Sequence, residues 1–111
     1  MNWIPLTNED QLRQLIENSQ SRPQVIFKHS TRCSISSMVK NRLEKNKAPE
    51  SLDFYFLDLI ANRPLSQKVA TVFNTEHESP QVLLVKRGHC VYTESHNGIV
   101  MDDIVENSTA A

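Results

Sequence analysis

The sequence predicts a small α/β domain built on a mixed central sheet flanked by helices, and three observations carry that prediction. Apolar runs of strand length alternate with segments whose apolar residues recur at helical spacing. The strand–helix–strand succession in the first half calls for parallel pairing with a right-handed crossover. In the second half, two strand-like runs meet at a tight turn, Arg87-Gly88, which makes them an antiparallel hairpin.

The elements follow in order. Trp3 to Leu6 reads as a short edge strand. Thr7-Asn8-Glu9-Asp10 opens a helix, with Thr7 as N-cap and Asp10 in the capping-box position. Leu12, Leu15 and Ile16 supply its apolar face. Ser19 to Pro23 is a break, and Val25 to Phe27 is a buried strand. Ile35, Met38, Val39 and Leu43 then fall at helical spacing, predicting a second amphipathic helix that ends near Lys47-Ala48-Pro49. Phe54 to Ile60 is the next strand. Asn62-Arg63-Pro64 starts a third helix, with Asn62 as N-cap and Pro64 in the first turn. Its buried stripe is Leu65, Val69, Val72 and Phe73. A polar loop, Asn74 to Ser79, leads to Pro80. Val82 to Val85 and Val91 to Thr93 form the hairpin, and Met101 to Val105 a short closing helix. One domain over residues 1–107 is expected, with Ser108 to Ala111 as a frayed tail.

After the first helix this order is β-α-β-α-β-β-α, the order of the thioredoxin fold. Two local features agree with it. Cys33 stands at the first strand-to-helix junction, and Ser79-Pro80 directly precedes the third core strand. Thioredoxin-like proteins place a cis-proline there, facing the cysteine.

Composition excludes several function classes. The chain has 111 residues, 39% of them apolar, enough for one modest core. A formal net charge of −1 leaves no electrostatic footprint for nucleic acid or for an acidic membrane surface. The apolar runs are too short to span a bilayer. Met1 to Leu6 lacks the basic start and apolar stretch of a signal peptide, so a cytoplasmic location is expected. Two cysteines far apart do not make a disulfide scaffold.

Cys33 carries the chemistry. It arrives after a polar turn, as helical periodicity begins, where a helix N-terminus favours the thiolate. Lys28, His29 and Arg32 are expected to add positive potential. Three residues on, where a dithiol motif carries its second cysteine, stands Ser36. The pattern is C-x-x-S, which offers no second thiol to resolve a mixed disulfide.

The segment from Lys28 to Ser36, KHSTRCSIS, resembles the active-site segment of the YtxJ-like monothiol bacilliredoxins, a family of bacillithiol-system redox proteins. So does HESPQV, His77 to Val82. The resemblance extends over roughly Trp3 to Asn107. It implies exchange on mixed disulfides between protein cysteines and bacillithiol, a low-molecular-weight thiol. Cys33 matches the reactive cysteine and Pro80 the facing proline. The implied partners are bacillithiolated proteins, the small thiol itself and a reductase. No resident cofactor is implied; bacillithiol serves as co-substrate.

Each remaining residue has a plainer reading beside the functional one. His29 reads equally as a partner of Cys33 or as a satisfied structural histidine. Arg32 reads as a solvated turn residue that also supplies positive potential. His77 and Glu78 could touch a thiol ligand or be solvated loop residues. The backbone at Ser79 is expected to face Cys33 and to pair with an extended substrate. A metal site at His29, Cys33 and His77 is disfavoured, because no paired ligand spacing is present. Cys90 reads as a strand packing residue. The third core strand runs roughly 20 Å away from Pro80 before the hairpin turn, and a disulfide needs Cα atoms within about 7 Å.

Three functions are compatible with these residues. The first is a monothiol exchange enzyme that removes bacillithiol or a similar thiol from proteins. The second is an iron–sulfur carrier like the monothiol glutaredoxins, although Ser34-Ile35-Ser36 replaces their Gly-Phe-Ser. The third is a redox-inactive adaptor, against which the intact cysteine weighs.

Overall fold

A computed structural model describes residues 1–110. Its elements are β1 (Trp3–Pro5), α1 (Glu9–Asn18), β2 (Gln24–His29), α2 (Ser34–Glu44), β3 (Asp53–Asp58), α3 (Arg63–Val72), β4 (Gln81–Lys86), β5 (His89–Ser95) and α4 (Met101–Thr109). The strands form one mixed sheet in the order β1-β3-β2-β4-β5. β1 and β2 both run parallel to β3, while β4 is antiparallel to β2 and β5. This is the expected α/β architecture.

Strand parity divides the core. Ile26, Leu83 and Val85 pack with Leu12 and Leu15 of α1 and with Leu65 and Val69 of α3. Val25, Phe27 and Leu84 pack with Val39 and Leu43 of α2 and with Ile104 of α4. All six residues of β2 are buried, as befits a central strand covered on both faces.

Local chemistry moves several boundaries. Asn8, not Thr7, caps α1, because its side chain accepts from Gln11 N at 2.9 Å. Thr7 N donates to Gln11 Oε1 instead. α2 stops at Glu44, earlier than expected, since Asn46 N turns back onto Leu43 O and Pro49 disfavours helix before it. α4 continues through Thr109, past the expected domain end at Asn107. Ser108 is buried and its Oγ donates to Val105 O, so the segment is helix rather than frayed tail. Ala111 lies outside the described residues. At the β4–β5 turn both Arg87 and Gly88 have positive φ, 52° and 80°, and Ser19 holds the turn by accepting from both N–H groups.

Two apolar stripes also rotate. Ile35 and Met38, expected inside, are exposed, and the inner face of α2 is Ser36, Val39 and Leu43. On α3, Val72 is exposed and Ser66 is buried. Ser36 turns inward to His29, which is buried, while the carbonyl of Ser66 accepts from the buried Lys28 Nζ.

The register fixes what meets at the site. Lys28 pairs with Gln81, and His29 with Asp58. The end of β2, the end of β3 and the start of β4 therefore share one rim of the sheet. Cys33 follows β2 there, and Pro80 precedes β4.

Candidate active site

The turn from β2 to α2 is tied down by Ser30. Its carbonyl accepts from Cys33 N at 3.1 Å, and its Oγ accepts from Arg32 N at 3.4 Å. Its own N–H donates to Ser36 Oγ at 3.1 Å. Cys33 is thereby placed as the N-cap residue of α2, half-buried and with a free thiol. Among the described residues no side chain caps this helix, and no acidic residue occupies its first turn. An anionic sulfur at the N-cap position is placed to accept from those uncapped N–H groups.

Ser36, the C-x-x-S serine, is fully buried. Its Oγ lies 2.6 Å from His29 Nδ1. Ser36 Oγ therefore links the Ser30 N–H to the His29 ring through one buried hydroxyl. Burial, and then the charge of Lys40, holds the His29 pKa below its ordinary value against the pull of Asp58 and Glu44. The ring stacks on Phe27 and lies against Phe56. His29 thus buttresses the turn through Ser36, and its Nδ1 is occupied.

Lys28 does not join Cys33. Strand parity turns it to the opposite face from His29, where it is fully buried under α3. Its Nζ donates to Ser66 O and to His77 Nδ1, each at 3.1 Å. Of the three expected sources of positive potential, Lys28 faces away and His29 is biased toward neutrality. Arg32 remains, exposed in the turn.

The Ser79–Pro80 peptide is cis. Pro80 is buried, and its carbonyl accepts from His96 N at 3.0 Å. Ser79 Oγ is buried and without a partner, and the Ser79 backbone bonds to no other backbone group, both among the described residues. The preceding loop is held from beneath by Gln81, whose Nε2 donates to Glu76 O at 2.8 Å and whose Oε1 accepts from Glu78 N at 3.4 Å. His77 is exposed on its outer side, and Glu78 Oε2 lies 3.8 Å from His96 Nε2.

A one-cysteine, C-x-x-S junction and a cis-proline thus share one rim of this sheet. The model of the monothiol bacilliredoxin BrxC family matches residues 4–104. The chain belongs to the monothiol bacilliredoxin family. A solved structure described as a candidate oxidoreductase with a thioredoxin fold is 30% identical, covering 94% of this chain and 91% of its own, with a TM-score of 0.82. Thioredoxin from Malassezia sympodialis (19% identity, 97% and 92% coverage, TM-score 0.78) shares the fold. So does thioredoxin from Fasciola hepatica (18% identity, 94% and 98% coverage, TM-score 0.77). This bacilliredoxin is a thiol redox protein of thioredoxin fold. No helix among the described residues is long and apolar enough to cross a membrane.

Cys90 lies at the other end of the sheet. It pairs with Val85, which pairs in turn with Gln24 at the start of β2. From Gln24 to His29 the strand covers roughly 17 Å, and Cys33 is further on, well beyond disulfide reach. Cys90 packs against the α1–α3 side of the core, and burial pushes its thiol pKa up. Cys90→Ala is expected to keep disulfide exchange within about twofold and to cost about 1 kcal/mol of stability. Exchange kinetics and urea denaturation on one preparation check both.

Lys28 makes a second prediction. Burial lowers its pKa from 10.5 to about 8. Between those values the unfolded chain holds a proton that the folded chain has released, so stability rises with pH through that window. The rise attributable to Lys28 is on the order of 3 kcal/mol. The raised pKa values of Cys90, Tyr55 and Tyr92 act in the opposite direction. The quantity to measure is therefore the difference between wild type and Lys28→Met in urea midpoints from pH 7 to 10.5. Wild type gains on the variant as pH rises; parallel curves contradict the assignment.

Proposed function

We propose that this protein removes bacillithiol, or a closely similar small thiol, from mixed disulfides on proteins in the cytoplasm. The carrying observation is the single thiol at an uncapped helix N-terminus with a buried serine, not a second cysteine, three residues on. The Cys33 thiolate attacks the small-thiol sulfur of the mixed disulfide. A new disulfide joins Cys33 to the small thiol, the old one breaks, and the target leaves as its thiolate. A second small-thiol thiolate, or a reductase, then attacks the adduct and returns Cys33 to the thiolate. If a second bacillithiol does this, bacillithiol disulfide is the product. Electrons balance at each exchange, and no second thiol of this chain takes part.

Cys33 is the nucleophile in this reading. Ser36 and His29 position it, Arg32 supplies positive charge at the turn, and Ser79 with Pro80 presents backbone to an extended substrate. The uncapped Ser79 backbone supports that last role. The test compares one target protein carrying bacillithiol, coenzyme A or glutathione on a single cysteine. Faster release from the bacillithiol adduct supports the reading. Equal rates on all three refute the thiol assignment while leaving exchange intact.

A further inference from the structure

Beneath the loop that carries Ser79 lie two polar side chains that the exchange chemistry does not use. Lys28 and Gln81 are cross-strand neighbours in the β2–β4 register. Both are almost fully buried, at 0% and 2% exposure, at the rim of a sheet face otherwise lined by Ile26, Leu83 and Val85. A buried lysine with no carboxylate partner is costly, and apolar residues would fill that space at lower cost. What the pair holds explains its presence. Lys28 Nζ reaches His77 Nδ1 and Ser66 O, each at 3.1 Å. Gln81 brackets the same loop at Glu76 O and Glu78 N, at 2.8 and 3.4 Å. Three consecutive residues, Glu76 to Glu78, are thus fixed from below. The next two are Ser79, with its unpartnered buried hydroxyl and free backbone, and Pro80.

We propose that Lys28 and Gln81 form a buried clasp that positions the Ser79 backbone to receive the polypeptide of a disulfide substrate. The clasp touches neither the sulfur nor Cys33, which lies with His29 toward the opposite face. Lys28 and Gln81 are therefore positioning residues for the protein half of the substrate and have no part in the sulfur chemistry. The inference rests on the exchange activity proposed above and adds how a polypeptide is preferred over a small disulfide. A loop edge fixed before binding loses less freedom when a strand pairs with it.

The experiment compares two disulfides that transfer the same small thiol, 2-mercaptoethanol, to Cys33. One is a short peptide whose central cysteine is in mixed disulfide with 2-mercaptoethanol. The other is hydroxyethyl disulfide, which has no peptide backbone. Lys28→Met and Gln81→Met are each expected to lower the ratio of peptide to small-disulfide rate by about fivefold or more, the worth of a backbone hydrogen bond or two. The loss appears in KM for the peptide, with kcat nearly constant. His77→Ala, on an exposed side chain, removes one end of the clasp without disturbing the core and is expected to move the ratio the same way by about threefold. An unchanged ratio in His77→Ala or in the folded methionine variants overturns the clasp. Equal losses on both disulfides also overturn it, because that is general damage. If wild type exchanges with neither disulfide, it is the proposed function that fails.

Discussion

Replacing Cys33 with alanine is expected to abolish disulfide exchange, with a loss of about a thousandfold or more, and to leave the fold intact. In the proposed cycle the sulfur is the attacking atom, and no neighbouring side chain takes its place. Cys90 cannot substitute, since it sits at the opposite end of β4 with its thiol pKa raised by burial. The fold tolerates the change because Cys33 is held through its backbone, by Ser30 O and by its own carbonyl to Ser37 N, and both bonds survive in alanine. Stopped-flow exchange with a mixed disulfide gives the rate, and circular dichroism confirms the fold. Residual exchange within tenfold of wild type would move the chemistry away from Cys33.

The second large effect is expected from Ser36→Cys. A thiol three residues along the helix can attack an adduct on Cys33 internally. The variant should release the small thiol without added reductant and close a disulfide to Cys33. The same change has a cost in the reduced state. Ser36 Oγ accepts from Ser30 N and hydrogen-bonds with His29 Nδ1 in a fully buried site. A thiol is a weak partner for both, so the reduced variant should lose about 1–3 kcal/mol. Urea denaturation under reducing conditions measures that loss, and mass spectrometry follows the released thiol. A variant that keeps its adduct as wild type does would contradict the placement of position 36 beside Cys33.

The sequence made the frame of this molecule legible because the frame is written in local signals. The apolar run into a polar turn placed Cys33 at a helix start, Arg87-Gly88 placed the hairpin, and Ser79-Pro80 marked the entry to β4. The family followed from the motif around Cys33 together with the segment before β4. What stayed hidden depended on strand parity and register. Lys28 and His29 are adjacent in the chain, and on a strand such neighbours face opposite ways. Counting both as charges near Cys33 overlooked that, although the alternation was available in the sequence. A lysine embedded in an apolar central strand was the further signal that it serves a buried partner. The role of Gln81 needed its register with Lys28, which no local pattern gives. Ile35 and Met38 outranked Ser36 as core candidates on hydrophobicity alone. The buried bonds of Ser36 to Ser30 N and His29 Nδ1 explain why the serine turns inward and the two apolar side chains face solvent.

With serine at position 36, the proposed cycle uses one thiol of this chain, and the most direct test reads the fate of the adduct. Wild-type protein is mixed with a protein mixed disulfide of bacillithiol in the absence of free thiol, quenched with acid and measured as an intact mass with peptide mapping. The expected product carries one bacillithiol on Cys33, with Cys90 still reduced. A Cys33–Cys90 disulfide with bacillithiol released, or a protein that never gains the adduct, would contradict the monothiol mechanism.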